Sequence, residues 1–409
     1  MSASTTLEPP PPATEPSSKN NSGSLSAYLG QNLRQYGMMA ALVVIVVLFQ
    51  FTTDGKLLYP NNIAALIQQN AYVLVLAIGM VMVIVAGHID LSVGSVVAFI
   101  GGICALLISD HNVPWLLAVV ISIMIGGLVG CWQGFWIAYV GIPAFIVTLG
   151  GMLLFRGLAI VLVGTTVAGL PTSFNDISNG SLPNALGFLG DLDGLTLVIG
   201  VVAIAGLAFS QIRARRSLLR NDLRVEPFAA FVAKLAISVA VIAYITYLLA
   251  ESAGGTPIVL IIVGVLVLLY TFVMNNTVFG RHIYAMGGNL PAAMLSGVKT
   301  KRVNFMIFVN MGLLAGVAAV VTTSRAGAAV AAAGQNFELD AIAAAFIGGT
   351  AVSGGIGKVT GAIIGAFIMG VLNMGLSIMN VDPAWQMAVK GLVLIVAVAF
   401  DILNKRRAK

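Results

Sequence analysis

The sequence predicts an all-α fold, a polytopic membrane protein of about ten to twelve transmembrane helices, some of them broken or half-length. Three observations predict it. First, 59% of the 409 residues are hydrophobic and only 9% are charged, against about 25% charged in a soluble domain. Second, the mean hydropathy is +1.00, so the chain carries more apolar surface than one water-soluble core can hide. Third, the apolar residues fall in long runs, which select helices over a barrel, because each spanning helix satisfies its own backbone in lipid.

Residues 1–35, beginning "MSASTTLEPPPPATEPSSKN", are rich in Pro, Ser and Thr and lack an apolar period. They read as a disordered cytoplasmic N-terminal tail, not as a signal peptide. Apolar segments follow near 36–53, 63–86, 91–109, 114–139, 143–163, 195–212, 228–250, 257–275, 304–323, 338–353, 359–379 and 385–402. Those at 91–109, 338–353 and 359–379 are short or broken by glycine and are candidates for half-helices. Residues 36–404 read as one transmembrane domain, and 405–409 as a basic cytoplasmic tail.

The basic residues orient the segments. Arg213, Arg215, Arg216, Arg220 and Arg224 share one loop. Arg281, Lys299, Lys301 and Arg302 share another, and Lys405, Arg406, Arg407 and Lys409 close the chain. Crossing the segments in order puts these groups on one side, with Lys358 and the N-terminal tail. Lys56 and Arg325 fall on the other. Since cytoplasmic loops hold the excess of Lys and Arg, both termini are expected in the cytoplasm. The same count sends Glu338, Asp340 and seven other acids to the outer side, where acids are simply tolerated.

Several chemistries are excluded. Cys104 and Cys131 sit in apolar runs and offer neither a disulfide framework nor zinc spacing. His88, His111 and His282 are too scattered for a metal site. The stretch "SGGIGKVTG", Ser353 to Gly361, imitates a phosphate loop, but that loop needs a glycine where Val352 stands and a hydroxyl where Val359 stands. Gly354, Gly355 and Gly357 therefore read as a tight turn between membrane segments, with Lys358 at the interface. No catalytic motif occurs, so an enzyme is not expected.

Ionisable residues inside apolar segments are functional candidates by default. Arg156, in "GMLLFRGLAI", and Lys390, in "WQMAVKGLVL", are the clearest; Arg156 is a candidate for a polar contact along a pathway, the alternative being a buried interhelical partner. Asp90, with Ser92, is placed to cap a helix start. Asn70, Trp132, Gln133, Trp136, Asn310 and Asn373 suit a pathway for a hydroxylated solute; for each the alternative is interhelical hydrogen bonding or interface anchoring. Glycines four apart (Gly126, Gly130 and Gly134; Gly357, Gly361 and Gly365; Gly312 and Gly316) mark close helix packing.

The loop 276–303, "NTVFGRHIYAMGGNLPAAMLSGVKTKRV", is amphipathic and basic. Gly287, Gly288 and Asn289 signal a turn, and a short helix with Pro291 in its first turn follows. Such a helix fits a partner protein or, alternatively, anionic lipid.

At this point the sequence resembles a known family. "GMVMVIVAGHIDLSVGSV", "GIPAFIVTLGGMLLFRG", "FGRHIYAMGGNLPAAMLSGV", "AAAFIGGTAVSGGIGKVTGAIIGAFIMGVLNMGL" and "DPAWQMAVKGLVLIVAVAFD" are similar to the permeases of bacterial ABC importers for monosaccharides. The branch is that of ribose and xylose, and the longer stretch 165–255 looks more like the xylose-type or multiple-sugar permeases. The resemblance implies a multi-pass inner-membrane subunit that pairs with a second copy of itself. It also implies a separate ABC ATPase subunit that binds the ATP, a periplasmic sugar-binding protein, no cofactor in this chain and no nucleic acid. Family permeases grip the ATPase through a loop written E-A-A-x-x-x-G. Ala292, Ala293 and Gly297 hold those positions here, with Pro291 in place of the Glu and Gly288 just before, so Arg281 and Asn289 are the candidates to supply the missing polar contact. The alternatives are a permease of the same kind for branched-chain amino acids, or a secondary transporter. The scarcity of membrane acids speaks against the latter.

Overall fold

The computed structural model describes residues 33–221, 223 and 225–407. Most of the 1–35 tail, Arg224 of the arginine loop and the last two residues lie outside the described residues. Among those described, the chain forms helices α1 (Leu33–Thr52), α2 (Pro60–Val85), α3 (Val93–Ser109), α4 (Trp115–Phe135), α5 (Ala144–Val163), α6 (Thr172–Asn179), α7 (Gly194–Arg220), α8 (Phe228–Glu251), α9 (Ile258–Asn276), α10 (Val278–Gly288), α11 (Leu290–Leu295), α12 (Thr300–Ala326), α13 (Phe337–Ile347), α14 (Val359–Ile378) and α15 (Pro383–Arg407). Eight of these are long and apolar enough to cross a membrane, and α1, α3 and α15 supply further apolar stretches. The polytopic helical fold is as the sequence predicts. Helix takes in residues 33–35 of the expected tail and 405–407 of the basic one.

The bundle has two distinct ends. At the first, the C-terminus of α2 meets α10 and the loop after α13: Gly355 N–H donates to Val85 O at 2.8 Å, and Tyr284 Oη donates to Gly357 O at 2.7 Å. Arg281, Lys299, Lys301, Arg302 and Lys358 lie on elements at this end, which we call the basic end. At the opposite end, α6 is fastened to the C-terminus of α12, where Ser324 Oγ donates to Phe174 O at 2.8 Å. Two-residue strands β1 (Thr166–Val167) and β2 (Ala329–Val330) pair antiparallel there.

Helices α2 and α12 form the core. From Val73 to Val85 every α2 residue is buried, because this helix is apolar all round and so belongs inside. Helix α4 crosses α12 with backbones in contact. A Cβ at Gly126 would collide with Gly312 O, and one at Gly130 with Phe308 O. The glycine spacing read from the sequence serves this crossing. Gly361 and Gly365 do the same for α14 against Gly348, just past the end of α13, and Ala344 within it. Helices α7 and α8 pair with each other at the periphery and leave most of their apolar faces uncovered.

The chain breaks twice inside the bundle. After α2 it turns at Gly87 (φ 87°) and climbs back, so that α3 starts level with Met311 and Gly312, in the middle of α12. After α12 it turns back from the opposite end, and α13 starts level with Tyr72, in the middle of α2. It passes through Gly334 (φ 71°), whose backbone touches Gly94. The half-helices then run apart: α3 towards the opposite end, α13 towards the basic end. The two breaks also share sequence. Ala86-Gly87 is followed, after ten intervening residues, by "AFIGG" at 98–102, and Ala333-Gly334 in the same way by "AFIGG" at 345–349. The chain therefore carries the same break twice, in opposite senses.

Two expectations need correction. The segment 359–379 is a continuous helix, α14, because its glycines are packing contacts and not breaks. Glu338 and Asp340 are not at the outer rim. The return of 327–336 into the bundle starts α13 midway, which places both acids inside, and Asp340 is buried.

Candidate functional site

At the basic end the loop 276–303 folds into α10 and α11. Thr277 caps α10, its hydroxyl accepting from Gly280 N–H at 3.2 Å. Asn289 caps α11, its Oδ1 accepting from Ala292 N–H at 3.0 Å, as expected of Asn at such a start. Asn289 is thus engaged locally. Gly287 lies on the α2 terminus, and a Cβ there would collide with Val85 O and Gly355 N. Gly288, one residue on, has open space. Gly297 ends the motif with φ 82°. Ala293 is buried, Ala292 and Arg281 are exposed, and Leu290, Met294 and Leu295 project outward, Leu295 with 90% of its surface free. This is an apolar knob on a rigid, capped mount. Burial pushes the Tyr284 phenol above its ordinary pKa, so it remains a donor to Gly357 O at neutral pH. That bond ties α10 to the Ser353–Gly357 turn, in which Gly354 (φ 78°) and Gly355 (φ 73°) take the left-handed conformation glycine allows.

Beside this end a cleft of about 450 Å³ opens between Gly87, His88, Ile89 and the turn Gly141–Phe145. His88 contacts Asn304 Oδ1 through Nε2 at 3.1 Å. Deeper in, Asp90 Oδ1 accepts from Ser92 N–H at 2.8 Å and from Ser92 Oγ at 2.6 Å. Ser92 Oγ in turn accepts from Gln133 Nε2 at 2.7 Å. These side chains are buried, and they fix the start of α3 against α4.

Midway along the bundle lies a polar belt. Lys390 of α15 is 3.2 Å from Asp340 Oδ1, and Tyr72 Oη donates to Asp340 Oδ2 at 2.7 Å. The Tyr72 ring stacks on Phe337 with centroids 3.6 Å apart. Arg156 of α5 reaches the returning segment and donates through Nη1 to Ala331 O at 3.1 Å and Ala333 O at 2.7 Å. Of the other residues singled out from sequence, Asn70 is buried and its Oδ1 accepts from Asn373 Nδ2 at 2.9 Å. Asn310 Oδ1 accepts from Tyr270 Oη at 3.1 Å. Trp132 packs edge-on to Trp136 and Phe155. Asn70 with Asn373, Asn310 with Tyr270, and Arg156 therefore sit on different helix pairs. Sequence reading missed Tyr72, Glu338 and Asp340 as belt members. The signal was the recurring Ala-Gly and "AFIGG" pattern, which marks a second break where α13 begins. Among the described residues no group of His, Cys, Asp and Glu is arranged to hold a metal ion.

Comparisons with known proteins agree with this architecture. Residues 62–398 match the family described as branched-chain amino acid transport system / permease component. The chain is 39% identical over 388 residues to the xylose transport system permease protein XylH of Escherichia coli K12, covering 95% of this chain and 96% of that protein. It is 38% identical over 377 residues to the XylH of Haemophilus influenzae, covering 92% and 98%. It is 31% identical over 375 residues to the ribose import permease protein RbsC of Escherichia coli K12, covering 92% and 95%. No solved structure matches. With the match running through both breaks, the belt and the α10–α11 mount, the chain belongs to this family of transport-system permease components, and the likeness to sugar-importer permeases read from its motifs holds.

Proposed function

We propose that this chain is the membrane-spanning subunit of an ABC importer and passes a monosaccharide of the xylose class inward, driven by ATP that a separate subunit binds and hydrolyses. The observation that carries the reading is the likeness to xylose permeases, 39% over 95% of the chain. The geometry supports it: the capped knob of Leu290, Met294 and Leu295 offers an apolar dock at the basic end. Its mount is wired through Gly287 and Tyr284 to the turn that feeds α13 and α14. Motion of a docked ATPase is thereby handed to the half-helix that starts at the polar belt.

In this reading the basic end faces the bacterial cytoplasm, both termini lie there, and two copies of the chain flank the solute path in the inner membrane. A periplasmic sugar-binding protein delivers to the opposite end. The family description names branched-chain amino acids; the xylose and ribose names of the full-length relatives favour sugar.

Reconstitution tests this. The chain in proteoliposomes with its ATPase and binding protein is expected to accumulate D-xylose when ATP is supplied, and not leucine or valine. The chain alone is expected to hydrolyse no ATP. ATP hydrolysis by the purified chain, or uptake of leucine in place of sugar, overturns the reading.

A further inference from the structure

The polar belt holds two charge pairs, and they differ in kind. The Asp340–Lys390 pair is closed: the groups touch, Tyr72 donates to the same carboxylate, and Asp340 is buried. Arg156 and Glu338 feel each other electrostatically, yet no ion pair joins them among the described residues. Only Nη1 of Arg156 is committed, to Ala331 O and Ala333 O. Nη2 and Nε donate to no described residue. Both side chains are half-buried, and the neighbouring amide of Gln335 is exposed on the same returning segment. The Glu338 carboxylate and Gly334 O press so close to Gly94 that no side chain fits there, which fixes the carboxylate at the junction of the two half-helices.

These groups lie inside the apolar span. Arg156 is thirteenth of the twenty residues of α5, and Glu338 sits where α3 and α13 begin. A guanidinium with free donors, a separated carboxylate and an exposed amide are costly against lipid, by several kcal/mol for one such charge. Their flank must therefore face water or a polar solute. We infer that Arg156, Glu338 and Gln335 form a solute-contact site midway along the path, recognising the vicinal hydroxyls of a sugar. A hydroxyl accepts from the free Arg156 N–H groups and donates to the Glu338 carboxylate, so one diol bridges the gap between the two charges. The closed Asp340–Lys390 pair holds α13 to α15 behind it. This inference rests on the sugar-permease reading above and deepens it.

The test uses the whole transporter with ATPase and binding protein in vesicles. In a Cys104→Ala, Cys131→Ala background, Gln335→Cys is expected to react with a water-soluble maleimide. Leu268→Cys, on the free face of α9 with 74% exposure, is expected not to react. Equal, slow reaction at both positions overturns the inference, because the flank then faces lipid or a packed interface. Glu338→Gln and Arg156→Gln are expected to slow D-xylose uptake at least tenfold, the worth of one hydrogen bond to a charged group. Glu338→Gln should leave binding-protein-stimulated ATP hydrolysis and the unfolding temperature near wild type, whereas Arg156→Gln, which loses its bonds to Ala331 O and Ala333 O, should also lower the unfolding temperature. Because Arg156 also straps the returning segment, Glu338→Gln decides. Wild-type uptake in that variant overturns the inference, as does equal loss of uptake, ATPase and thermal stability. If the wild-type complex itself moves no sugar, the functional reading falls, while the labelling still judges the flank.

Discussion

At the scale of single residues, the Asp340–Lys390–Tyr72 cluster sets the sharpest expectations. Breaking a buried ion pair by removing one partner costs about 3–5 kcal/mol, because the other charge stays buried and uncompensated. Asp340→Asn should therefore lower the unfolding temperature of the detergent-solubilised protein clearly. Asp340→Leu with Lys390→Met should recover most of that loss, since replacing both charges leaves none stranded. Tyr72→Phe removes one hydrogen bond to a carboxylate and keeps the stack on Phe337; about 1.5–3 kcal/mol is expected. Thermal unfolding of the set reads the order directly, and a double variant less stable than Asp340→Asn contradicts the pairing. The sequence flagged Lys390, because a lysine in an apolar run stands out. It hid Asp340, because counting every apolar run as a full crossing sends that residue to the rim. The partner became visible only once α13 was seen to start midway.

At the scale of elements, two neighbouring glycines separate structure from tolerance. Gly287 and Gly288 look alike in "AMGGN". Yet a Cβ at Gly287 collides with two backbone groups, while one at Gly288 meets nothing. Gly287→Ala is expected to push α10 off the α2 terminus and the Ser353–Gly357 turn, lowering coupled ATP hydrolysis and uptake severalfold with insertion intact. Gly288→Ala should leave both near wild type. Uptake assays on the pair decide it, and equal behaviour removes the claim that α10 transmits through this contact. Gly126→Val makes a similar point within the bundle. Its side chain would meet Gly312 O, so folded yield should fall, whereas Gly150→Ala, with open space, should not change it. Much at this scale was legible. Apolar runs located the helices, and glycine spacing marked the α4–α12 crossing. The direction of the half-helices was not legible, because hydropathy records that a run is apolar and not how far it travels.

At the scale of the whole molecule, the remaining question is which way the bundle points, since import is defined by direction. Charge argues it. Arg213, Arg215, Arg216 and Arg220 lie on the last turns of α7, and Arg281, Lys299, Lys301, Arg302 and Lys358 gather at the basic end, whereas Lys56 and Arg325 are the basic residues carried by elements of the other end among those described. Short loops rich in Lys and Arg are retained in the cytoplasm during insertion. The bias here is large, and it is spread over three separate connections, so no single loop has to dominate. The apolar knob at Leu290, Met294 and Leu295 agrees, because an ATPase can meet it only in the cytoplasm. Single cysteines read the outcome. Ser296→Cys and Ser353→Cys, both exposed at the basic end, should react with an impermeant maleimide in inside-out vesicles and be silent in intact spheroplasts. A cysteine at Leu186, 61% exposed in the segment that follows α6, should show the reverse. If Ser296→Cys reacts from outside the cell, the knob faces away from ATP, and the importer reading falls with the orientation.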